Sequence, residues 1–274
     1  MSSSPEIGRS VLAGGVSVNY HDYGKGDPVI LIHGSGPGVT AWANWRLTIS
    51  ELSRHFRTLA PDMLGFGYTE RPGAAPLVCD NSVWVAQLAA LMDVLDIGRA
   101  HIIGNSFGGA IALAMAIAHP ERVGKLVLMG AAGVSFPLTD GLDRIWGYQP
   151  SFQAMREMMD LFAYDRALVT DELADLRYRA STRPGVQEAF AALFPAPRQR
   201  WVDALASDPD AVRALPHETL IIHGRDDRII PLASSLTLHQ WIERSQLHVF
   251  GRCGHWTQIE HAAGFTRLVT DFLS

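Results

Sequence analysis

Short apolar runs alternate with longer amphipathic stretches through the first half of this chain. Segments 16–20, 29–32, 58–60, 101–103 and 126–129 read as strands. Between them, segments 42–54, 82–95 and 107–119 carry helical spacing, and Pro120 stops the last of these. Continuous apolar strands separated by helices predict a mostly parallel central sheet with helices on both faces.

The pattern changes from about Phe136 to Pro209. β-Branched runs become scarce, and apolar residues recur at helical spacing, as in Met155, Met158, Met159, Leu161 and Phe162. Pro184, Pro195 and Pro197 punctuate the stretch. It reads as a helical insertion that forms a lid over the strand ends. Strand–helix alternation resumes at Thr219, with a helix over 234–241, a strand over 247–250 and a final helix over 262–273. The predicted organisation is a core in two parts, 1–134 and 211–274, with the lid at 135–210 inserted after the sixth strand.

Composition narrows the function classes. Of 274 residues, 47% are hydrophobic and 19% charged, enough apolar material for a sizeable core. The net charge of −5 and the lack of a basic stripe argue against nucleic acid or an anionic membrane as partner. The apolar stretch around Ala110 to Ala118 is too short to span a bilayer. The first residues show no basic segment followed by an apolar core, so no signal peptide is expected. Cys79 and Cys253 lie far apart in sequence, which fits a reducing, cytoplasmic setting. Cys253 reads as a small packing residue.

The chemistry concentrates in three places. The first is Ile102-Ile103-Gly104-Asn105-Ser106-Phe107-Gly108-Gly109, a strand that meets G-x-S-x-G and opens a helix. A sharp strand-to-helix turn lifts a serine hydroxyl clear of the sheet, and the glycines leave room where turn and helix crowd. The bland alternative is an ordinary strand-to-helix turn. The second is Leu220-Ile221-Ile222-His223-Gly224-Arg225-Asp226-Asp227, and the third is a strand ending in Cys253-Gly254-His255. Ser106, an aspartate and His255 then follow in the order of α/β hydrolases. Histidine would take the serine proton, and the carboxylate would orient the imidazole. Two aspartates compete for the acid. By analogy with that fold the acid lies three residues after the strand-ending glycine, which selects Asp227. Asp226 then reads as a loop carboxylate paired with Arg225 or Arg228.

An oxyanion loop has its own signal in His33-Gly34-Ser35-Gly36-Pro37-Gly38, directly after an apolar strand. The backbone N–H groups of Ser35 and Phe107 are the expected donors. The loop lacks a Walker lysine and the G-x-G-x-x-G spacing, so a nucleotide cradle is disfavoured. His33 reads as a hydrogen-bonded residue that shapes the loop.

With these residues in view, the chain resembles the meta-cleavage product hydrolases, α/β hydrolases that cut carbon–carbon bonds in ring-fission products of catechols. The likeness rests on the block from His33 through Trp42 and Asn44 to Arg46, on Asp62-Met63-Leu64-Gly65-Phe66-Gly67, on the Ser106 motif and on Cys253-Gly254-His255-Trp256. The lid stretch from Phe194 to Asp203 points most closely to the branch for C6 aldehydes. The resemblance implies an α/β-hydrolase fold. It implies hydrolysis of the C5–C6 bond of 2-hydroxy-6-oxohexa-2,4-dienoate and 6-alkyl analogues. The products are 2-hydroxypenta-2,4-dienoate and formate or a short carboxylic acid. No metal or organic cofactor is implied, and the small-molecule dienoate is the partner, with a homo-oligomer expected.

By position, the resemblance assigns Arg177 to the substrate carboxylate, a role suited to its planar fork. Arg179 and Arg183 are its neighbours and could be mistaken for it; the bland reading is a solvated or ion-paired arginine. Asn44 and Asn105 would hold the 2-oxo or enol end, or else serve only as loop hydrogen-bonders. Trp256 and Phe107 would line the pocket or belong to the core. Phe136, Trp146, Phe194 and Ile229 are expected at the wall that receives the C6 group. An ordinary esterase shares the serine machinery but has no need of the Asn44, Asn105 and Arg177 set. A dehalogenase is disfavoured because its nucleophile is an aspartate. A low-turnover ligand receptor of the same fold is separated from an enzyme by rapid multiple turnover.

Overall fold

Among the residues described by the computed structural model, 4–70 and 80–274, eight strands form one sheet. In chain order they are β1 (Arg9–Ala13), β2 (Val16–Tyr23), β3 (Pro28–Ile32), β4 (Arg57–Pro61), β5 (Ala100–Asn105), β6 (Val123–Met129), β7 (Thr219–Gly224) and β8 (Ser245–Phe250). Their spatial order is β1-β2-β4-β3-β5-β6-β7-β8. β1 pairs antiparallel with β2, and β2 with β4; the pairings from β4 to β8 are parallel. Segment 9–13 was not foreseen as a strand. Arg9, Ser10 and Leu12 are exposed there, and a five-residue register with β2, rather than an apolar run, makes it one.

Strand β3 shows why the sheet needs cover on both faces. Its side chains alternate, so Ile30 and Ile32 join one core while Val29 and Leu31 join the other. Helices α1 (Ala41–Leu52), α2 (Asn81–Val94) and α3 (Phe107–Ala118) follow β3, β4 and β5. Trp45, Ile49 and Leu52 of α1 pack over Val29 and Leu31, and α2 and α3 cover the opposite face. Thr40 caps α1 by accepting a 3.0 Å hydrogen bond from the Ala43 amide.

After β6 come α4 (Asp140–Trp146), α5 (Phe152–Phe162), α6 (Asp171–Ser181), α7 (Val186–Leu193), α8 (Gln199–Leu205) and α9 (Pro209–Arg213), before the sheet resumes at β7. Met155, Met158 and Met159 of α5 are buried, as their spacing predicts. α10 (Leu232–Trp241), α11 (Thr257–Glu260) and α12 (Ala262–Leu273) complete the chain. Phe265, Val269 and Leu273 of α12 join α1 on its face of the sheet. Among the described residues, no helix is long and apolar enough to cross a membrane. Cys79 lies outside the described residues, and Cys253 is a free, buried cysteine.

Candidate active site

The turn from β5 to α3 holds Ser106 at φ 57° and ψ −117°, a conformation that disfavours any side chain. Backbone bonds hold the strain in place. The Ser106 amide donates to Met129 at 2.9 Å, and its carbonyl accepts from Gly109 at 2.9 Å and Ala132 at 3.0 Å. The flanking glycines are sterically required. A Cβ on Gly104 would lie 2.2 Å from the Gly108 carbonyl oxygen, and one on Gly108 would lie 2.3 Å from that of Ile32.

The loop after β7 brings Asp227 to His255. The imidazole Nδ1 donates to Asp227 Oδ2 at 2.7 Å, which leaves Nε2 for another partner. Asp227 Oδ1 accepts from the Ile229 amide at 2.7 Å and the Ile230 amide at 3.1 Å. Burial pushes the Asp227 carboxyl up, but His255, His223 and the Ile229 amide outweigh it and hold it below the usual carboxylate range. Ser106 and His255 open onto the same cavity of about 700 Å³. Asp226 is instead part-exposed, 3.3 Å from Arg225, and accepts from the Cys253 amide.

His223 was missed in the sequence, although it immediately precedes Gly224. It is fully buried, with Nε2 3.0 Å from the Ile230 carbonyl and 3.4 Å from Asp227 Oδ2. Its Nδ1 accepts from the Ser235 hydroxyl at 2.7 Å. Burial lowers its pKa, so a neutral ring with hydrogen on Nε2 braces the carboxylate.

His33 sits beneath the glycine loop. Its Nδ1 donates to the Gly34 carbonyl at 2.8 Å, and its Nε2 accepts from the Met63 amide at 2.9 Å. Ser35 lines the cavity, and its hydroxyl accepts from Trp146 Nε1 at 3.0 Å. The Phe107 ring does not line the cavity. It packs in the core edge-on to Trp84, with centroids 4.7 Å apart, so only its backbone is available as a donor.

Asn105 Nδ2 donates to Asn44 Oδ1 at 3.0 Å, and the Gly34 amide donates to the same oxygen at 3.3 Å. Asn44 Nδ2 and Asn105 Oδ1 are left buried without a hydrogen-bond partner in the protein. Both residues line the cavity, so one donor and one acceptor remain unspent there. Trp256 also lines it, stacked on Phe162 with centroids 5.2 Å apart and planes 5° apart.

Arg177 reaches the cavity from α6 and is ion-paired to Glu6. Its Nη1 lies 3.4 Å from the Gly38 carbonyl. Arg46 of α1 lines the cavity beside this pair, its pKa lowered by burial and by Arg177 and raised by Glu6. Glu6 and Arg46 were not singled out from the sequence. Arg179 is paired with Asp175 in an exposed contact, and Arg183 lies over the Tyr68 ring, 3.9 Å from its centroid.

The expected distal wall needs correction. Ile229 lines the cavity, but Phe136, Trp146 and Phe194 do not. Trp146 and Phe194 stack on each other at 4.4 Å, with planes 9° apart, behind the lining. Leu142, Ile145, Met155, Met158 and Leu173 form apolar wall instead. Cys253 is buried and its thiol is pushed up to about 12 by that burial, so it is no nucleophile at neutral pH. Among the described residues, no group of three or more His, Cys, Asp or Glu side chains is arranged to hold a metal ion.

Several groups whose charged forms are disfavoured by burial tie the protein's stability to pH. Burial lowers the His33 pKa to about 4, and also lowers those of His21, His101 and His223. An unfolded chain binds these protons from about pH 6.5 downward, so acid favours unfolding. Asp62, raised to about 6 chiefly by burial, acts oppositely, gaining stability as pH falls through that value. Four histidines against one aspartate leave a net loss. The unfolding free energy from urea titration is expected to drop by about 1–3 kcal/mol between pH 7.5 and 5.5. A rise would mean that Asp62 dominates.

The α/β-hydrolase fold family matches residues 27–262 of this chain. The chain is 65% identical to 2-hydroxymuconate semialdehyde hydrolase from Pseudomonas sp. strain CF600, over 99% of this chain and 95% of that one. It is 66% identical to 2-hydroxy-6-oxo-2,4-heptadienoate hydrolase from Pseudomonas putida strain F1, over 98% and 97%. A solved meta-cleavage product hydrolase from Pseudomonas fluorescens IP01, a serine-to-alanine variant complexed with acetates, superposes with a TM-score of 0.97 at 59% identity, each chain covered to 98%. The strained serine turn, the paired aspartate and histidine, and the end-to-end likeness to these relatives agree: the chain belongs to the α/β-hydrolase fold family and, within it, to the meta-cleavage product hydrolases.

Proposed function

We propose that this enzyme hydrolyses the C5–C6 bond of 2-hydroxy-6-oxohexa-2,4-dienoate and its 6-alkyl analogues. The products are 2-hydroxypenta-2,4-dienoate and formate or a short carboxylic acid. The observation that carries the reading is the company Ser106, His255 and Asp227 keep. The same cavity holds the arginines Arg177 and Arg46 and an asparagine pair with one unspent donor and one unspent acceptor. An esterase needs none of these. A substrate carboxylate would sit on Arg177, whose fork matches it. A 2-enol hydroxyl both donates and accepts, as the free Asn105 Oδ1 and Asn44 Nδ2 require.

The chemistry then follows from the groups. A dienolate carbon leaves poorly until C5 is protonated, and His255 is the base and acid at hand. Ser106 attacks C6 with the oxyanion on the Ser35 and Phe107 amides, and water clears the acyl-enzyme. Alternatively, water adds to C6 directly and Ser106 positions it. In both routes C5 gains hydrogen and C6 gains hydroxyl. Trp256 would line the substrate path. In this reading residues 135–210 act as a lid on a core of 1–134 and 211–274, and the enzyme is a cytoplasmic homo-oligomer. Light scattering on the purified enzyme measures the last point.

Arg177→Gln tests the reading. Breaking a buried charge pair costs about 3–5 kcal/mol, less where water enters. The variant is expected to lose about a hundredfold or more in kcat/KM for the dienoate, followed by loss of its yellow colour. A neutral nitrophenyl ester, with no carboxylate to hold, should be much less affected. Equal losses on both substrates would make Arg177 a structural residue and leave carboxylate recognition unexplained.

A further inference from the structure

The segment before β1 is anchored against the cavity and forms part of its wall. Ser4, Pro5 and Glu6 line the cavity together with Arg177 and Arg46. Asn19 of β2 does the anchoring. Its Nδ2 donates to the Glu6 carbonyl at 3.2 Å and to buried Asp62 at 2.8 Å, and its Oδ1 accepts from the Gly8 amide at 2.9 Å. The Glu6 carboxylate is thereby held inward, 8% exposed, against Arg177. These contacts join positions 171 residues apart in the chain.

We propose that Glu6 carries an internal carboxylate that competes with the carboxylate of substrate and product for Arg177 and so weakens the retention of both. The inference rests on the reading of Arg177 as the carboxylate-binding group. Arg46, Arg177, Arg179 and Arg183 line the cavity, and Glu6 is the one carboxylate among its lining residues. A carboxylate arriving at Arg177 must share a guanidinium already engaged by Glu6. The edge open to sharing is Nη1, held only by the long 3.4 Å contact to Gly38. Like charge close by in a partly desolvated site weakens retention. The dienoate product keeps the same carboxylate as the substrate, so Glu6 also favours its release. Without Glu6, Arg177 would hold the carboxylates of substrate and product more tightly.

Calorimetric titration with sorbate, a hexadienoate carrying the carboxylate but no 6-oxo group, tests this without relying on turnover. Sorbamide, its neutral amide, is the control for shape. Glu6→Gln is expected to tighten sorbate binding about five- to tenfold, with sorbamide affinity the reference for an intact cavity. Glu6→Met, uncharged and of similar length, repeats the measurement if the glutamine variant is unstable. Arg177→Gln is expected to weaken sorbate binding and to erase the gain when combined with Glu6→Gln, since coupled residues are not additive. If Arg177→Gln weakens sorbate but Glu6→Gln leaves it unchanged or weakens it too, Glu6 merely orients Arg177 and the proposal falls alone. If Arg177→Gln has no effect on sorbate, the carboxylate reading of Arg177 falls and takes the proposal with it. Equal tightening for sorbate and sorbamide would show an opened cavity, not relieved charge competition, and would also overturn it.

Discussion

Ser106→Ala is expected to leave a folded protein whose steady-state cleavage of the dienoate is at least about a thousandfold slower. The backbone of this turn is held by bonds that alanine keeps: the amide to Met129 and the carbonyl to Gly109 and Ala132. Only the hydroxyl is lost. Removing a nucleophile from a working triad removes nearly the whole effect of the triad, because the groups act as a unit. The measurement is loss of dienoate absorbance, with circular dichroism and thermal melting as the check on folding. Rapid mixing adds a second readout. A variant that still ketonises the substrate but does not cleave it would assign proton transfer to His255 and cleavage to Ser106. Turnover near that of the parent by folded Ser106→Ala would remove Ser106 from the chemistry.

Asp227→Asn is expected to damage turnover far more than Asp226→Asn. The equivalent change costs about 10⁴-fold in a serine protease, and the surroundings of Asp227 explain why it should be severe here. Its Oδ1 accepts from the amides of Ile229 and Ile230, and an asparagine keeps those bonds only by placing its own carbonyl there. The NH₂ group then faces His255 Nδ1, which has to accept rather than donate. The imidazole is driven into the other tautomer, with hydrogen on Nε2 where a base is needed. Asp226 touches Arg225 and the Cys253 amide at a part-exposed position. Its amide variant should stay within about threefold of the parent, as surface pairs contribute little. Steady-state kinetics of both variants decide the matter. If Asp226→Asn were the more harmful, the acid would be the preceding residue of the turn.

The chemistry was readable wherever a short motif dictates its own backbone. Gly104, Ser106 and Gly108 specify a turn with no room for other residues, so its strand and helix followed from the letters alone. Asp227 and His255 lie in the loops that follow β7 and β8, which pair in parallel, and parallel strands deliver their following loops to one edge. The unread residues share a different property. Strand β1 consists mostly of exposed residues and exists through its pairing with β2. The ring of Phe107 was torn between cavity and core, and Trp84 and Phe66 draw it into the core. Trp146 and Phe194 are aromatic residues of the insertion, but they stack on one another and leave the wall to Leu142, Ile145 and the α5 methionines.

Apolar periodicity and turn chemistry act over a few residues, so the sequence by itself determined the strand–helix alternation, the serine turn and the order of serine, acid and base. Charge neighbours act through space. Glu6, with no periodic or motif context, meets Arg177 only because Asn19 and Asp62 pin the leading segment to the sheet. His223 looks like one more strand residue until the loop folds back and sets Asp227 beside it. Which side chains face the cavity, which carboxylate neutralises which arginine, and which polar atoms of Asn44 and Asn105 stay unspent are consequences of packing between distant segments. Only the tertiary structure decided them, because burial and ion pairing depend on distances that no local pattern encodes.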